Sequence, residues 1–234
     1  MLTRIIRMLE AILWDMDGTL VDSEGIWAEA TFAMSEEMGN RLTADQQLQT
    51  VGASFDFTLG LCADNAGLAL DSNSREFWKN RLFSQVSALF ATELTLKPGL
   101  SGLLDSVHQA GIPMAIATNT VRRVAQHSIH AIGESYFDAT ICGDEVANPK
   151  PAPDIYCEAA QRLKTQPRHC IAFEDSYNGM LSALAAGCIV IGVPEQDDMR
   201  IPKGVTLMND LHGSTDFSGV TLNTVEGWFN KIST

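Results

Sequence analysis

The chain has 234 residues, of which 45% are hydrophobic, and a formal net charge of −13. This length and apolar content are sufficient for one sizeable domain, or for a core with an inserted second domain. The negative charge argues against nucleic acid and against an anionic membrane surface as partners, because both need a basic protein face. We therefore expect a globular, soluble protein that acts as a monomer on a small molecule.

The first predicted element is a strand over residues 11–15, and it leads into two acidic residues, Asp15 and Asp17. In an extended chain, residues i and i+2 project to the same side, so the two carboxylates are expected to converge where the strand stops. Convergent carboxylates can bind a divalent cation. Gly18 permits a sharp turn and a close approach of the backbone to an anion, and Thr19 adds a hydroxyl. Taken alone, the pattern is also that of a capping aspartate beside a turn aspartate.

Residues 24–96 contain amphipathic helical patterns, over 26–38 and 75–90, but no convincing buried strand. This predicts a helical insertion between the first strand and the rest of the chain. An ordinary helical surface layer is the alternative interpretation.

After the insertion, apolar β-like runs alternate with helical stretches that are punctuated by Gly or Pro. Such alternation is typical of βαβ units and predicts an α/β fold with a parallel sheet. The core is expected to comprise residues 1–23 and 97–234. Strands are predicted over 11–15, 113–118, 139–142, 169–174 and 188–193, and helices over 99–110, 121–132, 154–164 and 177–186.

Three later segments of the core add polar residues to the first acidic pair. The first contains Thr118 and Asn119, the second Lys150, and the third Glu174 and Asp175. Prolines on both sides of Lys150 stiffen the backbone, so that its ammonium group is rigidly presented. Ligands of an open parallel sheet bind beyond the carboxyl ends of the strands, and one crevice is therefore expected to collect the residues that follow the strands.

In this order and at these spacings, the segments resemble the four motifs of the haloacid-dehalogenase-like superfamily of phosphotransferases. Asp15 and Asp17 match its first motif, Thr118 the second, Lys150 the third, and Glu174 with Asp175 the fourth. The resemblance covers essentially the whole chain and is strongest to the small sugar phosphatases and the β-phosphoglucomutase subgroup. It implies a Rossmann-like core and a cap, residues 24–96, that is hinged near Ser23 and near residues 97–99. The cap would close over the site and exclude bulk water.

The resemblance, together with what each group can do chemically, implies a phosphatase mechanism. Asp15 would attack phosphorus to give an aspartyl-phosphate, and Asp17 would protonate the leaving alkoxide and later deprotonate water. The loop at Gly18 would lie beside the phosphate. Thr118, Asn119 and Lys150 would hold the phosphoryl oxygens.

Mg²⁺ is the expected cofactor. Its oxygen ligands would come from Asp15, the main-chain carbonyl of Asp17, and Asp175, with Glu174 binding directly or through water, and from a phosphate oxygen. The cation and Lys150 would supply the positive charge that an anionic substrate needs in an acidic protein.

Two cap positions favour hydrolysis over phosphoryl-group rearrangement. The related mutases carry a histidine and an arginine that contact the substrate's second phosphate, whereas this chain has Trp27 and Phe55 at the aligned positions. We therefore expect hydrolysis of small phosphorylated metabolites, with sugar phosphates favoured, and keep a β-phosphoglucomutase-like mutase as the alternative. Trp27 and Phe55 would form an apolar wall against the substrate, with Ser54 as the nearest neutral hydrogen-bonding group; alternatively, the two rings belong only to the core of the cap.

Two further classes are less favoured. The dehalogenase branch works without metal and needs neither Asp17 nor the pair Glu174 and Asp175. A non-catalytic binder of phosphorylated metabolites is expected to lack Asp15, Asp17 or Lys150, and this chain has all three. These residues do not distinguish sugar phosphates from sugar-acid phosphates, phosphoglycolate or nucleotides.

The five cysteines are scattered and odd in number, which predicts buried thiols in a reducing cytoplasm. No apolar run approaches the roughly 18 residues that span a membrane. The N-terminal segment runs directly into the first strand without a cleavage site, so it is not expected to be a signal peptide. Because Met8 is itself a possible start of translation, residues 1–7 are expected to be an extension outside the fold.

Overall fold

The computed structural model describes residues 8–51, 53–195 and 199–233. Within them the chain forms two compact units, a core unit from the described residues of 1–22 and 96–234, and a helical unit, Ser23–Thr95. Each boundary lies one residue from the expected division into 1–23 with 97–234 and 24–96. The extension expected over residues 1–7 lies outside the described residues.

Eight strands occur in the described part of the chain. They are β1 (Ala11–Trp14), β2 (Val21–Asp22), β3 (Thr95–Leu96), β4 (Met114–Thr118), β5 (Ala139–Cys142), β6 (Cys170–Glu174), β7 (Ile189–Gly192) and β8 (Thr206–Leu207). Six of them form a parallel sheet in the order β5–β4–β1–β6–β7–β8, and β2 and β3 form a second sheet of two strands. In the register of the main sheet, Trp14 of β1 aligns with Ile116 of β4 and with Phe173 of β6.

The helices of the described residues fall into both units. The helical unit contains α1 (Glu24–Glu37), α2 (Ala44–Leu48), α3 (Phe55–Ala66) and α4 (Ser72–Glu93). The core unit contains α5 (Leu100–Gln109), α6 (Arg122–Ile132), α7 (Asp154–Arg162), α8 (Tyr177–Ala186), α9 (Met208–His212) and α10 (Leu222–Ile232). Short 3-10 turns cover Glu134–Tyr136, Gly143–Glu145 and Pro167–His169.

The predicted α/β fold with a parallel sheet is confirmed. The five predicted strands correspond to β1, β4, β5, β6 and β7, and the four predicted core helices to α5, α6, α7 and α8, with ends that differ by at most two residues. In the helical unit, α1 and α4 match the two amphipathic patterns. The elements that were not predicted from the sequence are the short strands β2 and β3, the helices α2 and α3, and the C-terminal elements β8, α9 and α10.

Both faces of the central strands are covered, which explains why their sequences are almost wholly apolar. On one face, the rings of Trp14 and Phe173 stack at a centroid distance of 4.5 Å, and Phe217 packs edge-on against both. On the other face, Leu13 belongs to a buried cluster that includes Tyr156 of α7. Because side chains alternate along a strand, Asp15 follows on the same side as Leu13.

The helical unit is held together by aromatic contacts with α4. Trp27 of α1 meets the ring of Phe90 edge-on, with 6.1 Å between centroids. Phe55, at the start of α3, packs against Phe83 at 5.5 Å. Trp27 and Phe55 therefore contribute to the packing of their own unit.

Candidate active site

The turn after β1 positions the first acidic pair at the carboxyl edge of the sheet. The amide of Asp15 donates to the carbonyl of Phe173 at 3.0 Å, so pairing with β6 continues past the end of β1. The chain then reverses at Gly18, which has a φ of 84° and donates to the carbonyl of Val21 at 2.9 Å. A Cβ at position 18 would lie 2.2 Å from Oδ2 of Asp175. Both the positive φ and the nearby carboxylate therefore require glycine.

Two threonine hydroxyls at the end of β4 hold the carboxylate of Asp17. The hydroxyl of Thr120 donates to Oδ2 of Asp17 at 2.6 Å, and the buried Thr118 hydroxyl reaches the same oxygen at 3.4 Å. The amide of Thr120 donates to the Thr118 hydroxyl at 3.0 Å, which fixes the two relative to each other. Thr120 was not predicted as a site residue, although its hydroxyl, two residues after that of Thr118, was a signal in the sequence.

Lys150 lies at the centre of a buried ion-pair network. Its side chain is 3% exposed, and its Nζ lies 2.5 Å from Oδ1 of Asp15 and 2.6 Å from Oε1 of Glu174. Burial lowers the pKa of Lys150, but the charges of the two carboxylates outweigh burial and hold that pKa above its ordinary value. Lys150 is therefore an ammonium ion at neutral pH.

The side-chain amide of Asn119 orients the backbone of Lys150. Its Oδ1 accepts the Lys150 N–H at 2.9 Å, and its Nδ2 donates to the Lys150 carbonyl at 3.3 Å. Both ends of the amide thus contact the backbone of the lysine. That Asn119 also contacts a phosphoryl group stays a prediction.

Glu174 is enclosed by polar partners and by a glycine. Its Oε1 accepts the hydroxyl of Tyr156 at 2.6 Å in addition to the Lys150 ammonium, and its Oε2 accepts the hydroxyl of Ser176 at 3.3 Å. A Cβ at Gly179 would lie 2.0 Å from the carboxylate. Tyr156 was not predicted as a site residue, because a tyrosine on the buried face of a predicted helix gives no signal of a polar partner.

Three carboxylates meet beside Lys150. One oxygen from each of Asp15, Glu174 and Asp175 lies within 4.8 Å of the others. Burial raises the pKa of Asp15 to about 7; the charge of Lys150 opposes this rise, and the charges of Glu174 and Asp17 add to it. Burial, followed by the charges of Asp15 and Glu174, raises the pKa of Asp175 well above its ordinary value. Such a set of crowded carboxylate oxygens fits a hard divalent cation such as Mg²⁺, which takes oxygen ligands.

The structure brings the predicted site residues of the core unit together at one edge of the sheet. They are Asp15, Asp17, Gly18, Thr118, Asn119, Lys150, Glu174 and Asp175. Trp27, Ser54 and Phe55 belong to the helical unit, where the Ser54 hydroxyl caps α3 by accepting the amide of Phe57 at 3.3 Å. Contact of these three residues with the substrate stays a prediction.

The five cysteines are free thiols, and four of them are buried as expected. The expectation of burial was wrong for Cys157, which is exposed because it lies outside the buried face of α7 that Ile155, Tyr156, Ala159 and Ala160 form. Within the described residues, no helix combines the length and the apolar content needed to cross a membrane.

Known proteins are similar to this chain in sequence and in fold. Residues 9–187 match the haloacid dehalogenase-like hydrolase family. A phosphorylated carbohydrates phosphatase of Thermotoga maritima is 32% identical over 180 residues, covering 76% of this chain and 82% of the relative. Hexitol phosphatase B of Escherichia coli is 26% identical over 218 residues, covering 92% and 97%.

Among solved structures, a mutant of CbbY from Rhodobacter sphaeroides in complex with xylulose-1,5-bisphosphate superposes with a TM-score of 0.80. It is 26% identical and covers 94% of this chain and 100% of its own. The matches confirm the predicted superfamily, and the phosphatases among them agree with the predicted class of enzyme, a phosphoric monoester hydrolase. This chain belongs to the haloacid dehalogenase-like hydrolases.

Proposed function

We propose that the protein is a Mg²⁺-dependent phosphatase that hydrolyses small phosphorylated metabolites, chiefly sugar monophosphates, through an aspartyl-phosphate on Asp15. The observation that carries the proposal is the position of the Asp15 carboxylate, 2.5 Å from the Lys150 ammonium and grouped with Glu174 and Asp175. A carboxylate nucleophile that lies beside a fixed ammonium group and a group of carboxylates able to bind a metal is suited to attack on phosphorus. Phosphoryl transfer depends mainly on positioning and charge neutralisation.

The two aspartates of the first motif have different surroundings and different proposed roles. An oxygen of Asp15 attacks phosphorus, and the ester bond to the substrate's oxygen breaks as Asp17 donates a proton to that oxygen. Asp17 then accepts a proton from water, the water oxygen attacks phosphorus, and the bond between phosphorus and Asp15 breaks to release inorganic phosphate. The hydroxyls of Thr118 and Thr120 orient Asp17 for both proton transfers.

The acidic cluster supports the proposed metal. Asp15, Asp175 and the main-chain carbonyl of Asp17 would hold Mg²⁺, with Glu174 as a direct or water-mediated ligand. When bound, Mg²⁺ supplies positive charge to the oxygens of the transferring phosphoryl group. Lys150 provides a second positive charge, because the surrounding carboxylates keep its amine protonated.

The relatives support a sugar phosphate as the substrate. One is named for phosphorylated carbohydrates, one for a hexitol, and the CbbY structure contains a sugar bisphosphate. We propose that Trp27 and Phe55 offer an apolar wall to such a substrate and that Ser54 is the nearby polar group. The free thiols support a reducing, cytoplasmic location.

Product analysis tests the proposed reaction. The purified protein is incubated with Mg²⁺ and a panel of phosphorylated metabolites, and inorganic phosphate is measured, with Asp15→Asn as the inactive control. We expect stoichiometric phosphate release from at least one sugar monophosphate. With β-glucose 1-phosphate and a bisphosphate primer, accumulation of glucose 6-phosphate without matching phosphate release would instead identify a mutase.

A further inference from the structure

Tyr156 is a buried tyrosine whose hydroxyl points into the ion-pair network. It lies in the first turn of α7 and is fully buried. Its hydroxyl donates to Oε1 of Glu174 at 2.6 Å, the same oxygen that the Lys150 ammonium contacts at 2.6 Å. The Lys150 Nζ also lies 5.2 Å from the centroid of the tyrosine ring. Tyr156 therefore contacts both members of the buried pair.

The hydroxyl of Tyr156 makes a shorter hydrogen bond to the Glu174 carboxylate than the hydroxyl of Ser176 does on the other oxygen. Oε2 contacts the Ser176 hydroxyl at 3.3 Å, a longer bond than the one from Tyr156. Gly179 packs against the carboxylate from α8. A carboxylate that receives two short donors on one oxygen is fixed in rotation, and the ammonium bound to it is fixed as well.

We propose that Tyr156 is a positioning residue that fixes Glu174, and through Glu174 sets the position of the Lys150 ammonium relative to Asp15. The inference rests on the proposed phosphatase activity and adds to it a residue that does not touch the substrate. An ammonium that must meet both the nucleophile and the phosphoryl oxygens tolerates little displacement, since a shift of about 1 Å can reduce a rate by about 10²-fold.

Tyr156→Phe tests the proposal, because it removes the hydroxyl and keeps the buried ring. Tyr136→Phe is the matched control: it removes a hydroxyl that donates to a carboxylate, Asp105, at 2.5 Å, but this hydrogen bond is solvent-exposed and lies outside the ion-pair network. We expect Tyr156→Phe to lower kcat by at least about 10-fold with KM within about twofold, since the misplacement acts on the reacting geometry. The control should leave both constants within about twofold. An unchanged kcat for Tyr156→Phe, with active wild-type enzyme, overturns the proposal.

A double-mutant cycle then separates action through Glu174 from general loosening of the core. In a Glu174→Gln background, Tyr156→Phe should lower kcat by less than about twofold, because the partner that transmits its effect has changed. Independent, multiplicative losses contradict the proposal.

A crystal structure of Tyr156→Phe provides a readout that needs neither the Glu174 variant nor activity. We expect Glu174 to rotate and the Lys150 Nζ to move away from Oδ1 of Asp15. A Lys150 that stays in place refutes the inference even if activity falls. Conversely, a wild-type protein without phosphatase activity refutes the proposed function, while the crystal structure still decides whether Tyr156 positions Lys150.

Discussion

Replacing Gly179 by alanine should destabilise the protein, although alanine is the better helix former. Gly179 lies in α8 and is buried, and a Cβ at this position would come within 2.0 Å of three atoms of the Glu174 carboxylate. Real side chains do not tolerate that distance, so either Glu174 or the backbone of α8 must move. Glu174 has little room, because its oxygens contact Lys150, Tyr156 and Ser176.

The magnitude follows from three effects on the free energy of unfolding, of which one stabilises and two destabilise the variant. Alanine in a helix gains about 1 kcal/mol over glycine. Overpacking of a well-packed site costs about 1–3 kcal/mol. Complete loss of one partner from a buried ion pair costs about 3–5 kcal/mol, and a displacement of Glu174 that weakens its pair with Lys150 costs a part of this. We expect a net destabilisation of about 2–4 kcal/mol, which lowers the Tm of a chain of this length by roughly 5–15 °C.

The matched control is Gly102→Ala in α5, where a Cβ meets nothing within 4 Å. At this exposed helix position, alanine should raise the Tm by about 1–4 °C, because only the helix propensity changes. Thermal unfolding followed by far-ultraviolet circular dichroism measures both variants. We expect the two variants to change the Tm in opposite directions. If Gly179→Ala also raised the Tm, the close packing of α8 against Glu174 would be refuted.

Three other predictions concern the metal, the aspartates and a surface ion pair. Chelation by EDTA should abolish both phosphate release and the binding of inorganic phosphate, and Mg²⁺ should restore them; activity that survives chelation contradicts the metal site. Asp15→Asn should abolish formation of the phosphoenzyme, whereas Asp17→Asn should slow turnover but retain phosphate binding, as measured by acid-quench labelling and calorimetry. The hydrogen bond from Arg122 is the main cause that lowers the pKa of Glu145. The stability from this pair is therefore present above pH 4.5, the ordinary pKa, and is lost as the pH falls through the lowered value. The difference in urea unfolding between wild type and Arg122→Met should consequently shrink at low pH, leaving the part that comes from the hydrogen bonds of Arg122 to Thr140; a constant difference from pH 7 to pH 3 would exclude this linkage.

The parallel sheet was predictable because its strands are short apolar runs separated by glycine and proline. Burial on both faces makes such runs continuous, and β1 and β4 stand out for this reason. The strand ends then located Asp15, Thr118 and Asp175, since parallel strands present their carboxyl ends at one edge. By contrast, β8 has only two residues, and no periodicity can be recognised over that length.

The side-chain contacts of the site could not be predicted in the same way. Local patterns indicate which residues end a strand, but the partner of a buried polar group depends on which helix packs above it. Tyr156 contacts Glu174 only because α7 packs against β1 beside β6, and Asn119 contacts the Lys150 backbone only because the loop before α7 returns to β4. These pairs are 18 and 31 residues apart in sequence.

The charges of the cluster explain how an acidic chain can bind an anionic substrate. When ionised, Asp15, Glu174 and Asp175 carry three negative charges, and the Lys150 ammonium offsets one of them. One divalent cation would neutralise the remaining two negative charges. Without the cation, burial and mutual repulsion raise the pKa values of Asp15 and Asp175. The cluster of these four residues, which repels phosphate in the absence of metal, would thus be neutral in its presence. The net charge of −13 is consequently compatible with a phosphorylated substrate, because a buried site responds mainly to charges within a few ångströms, while distant surface charges are screened by salt.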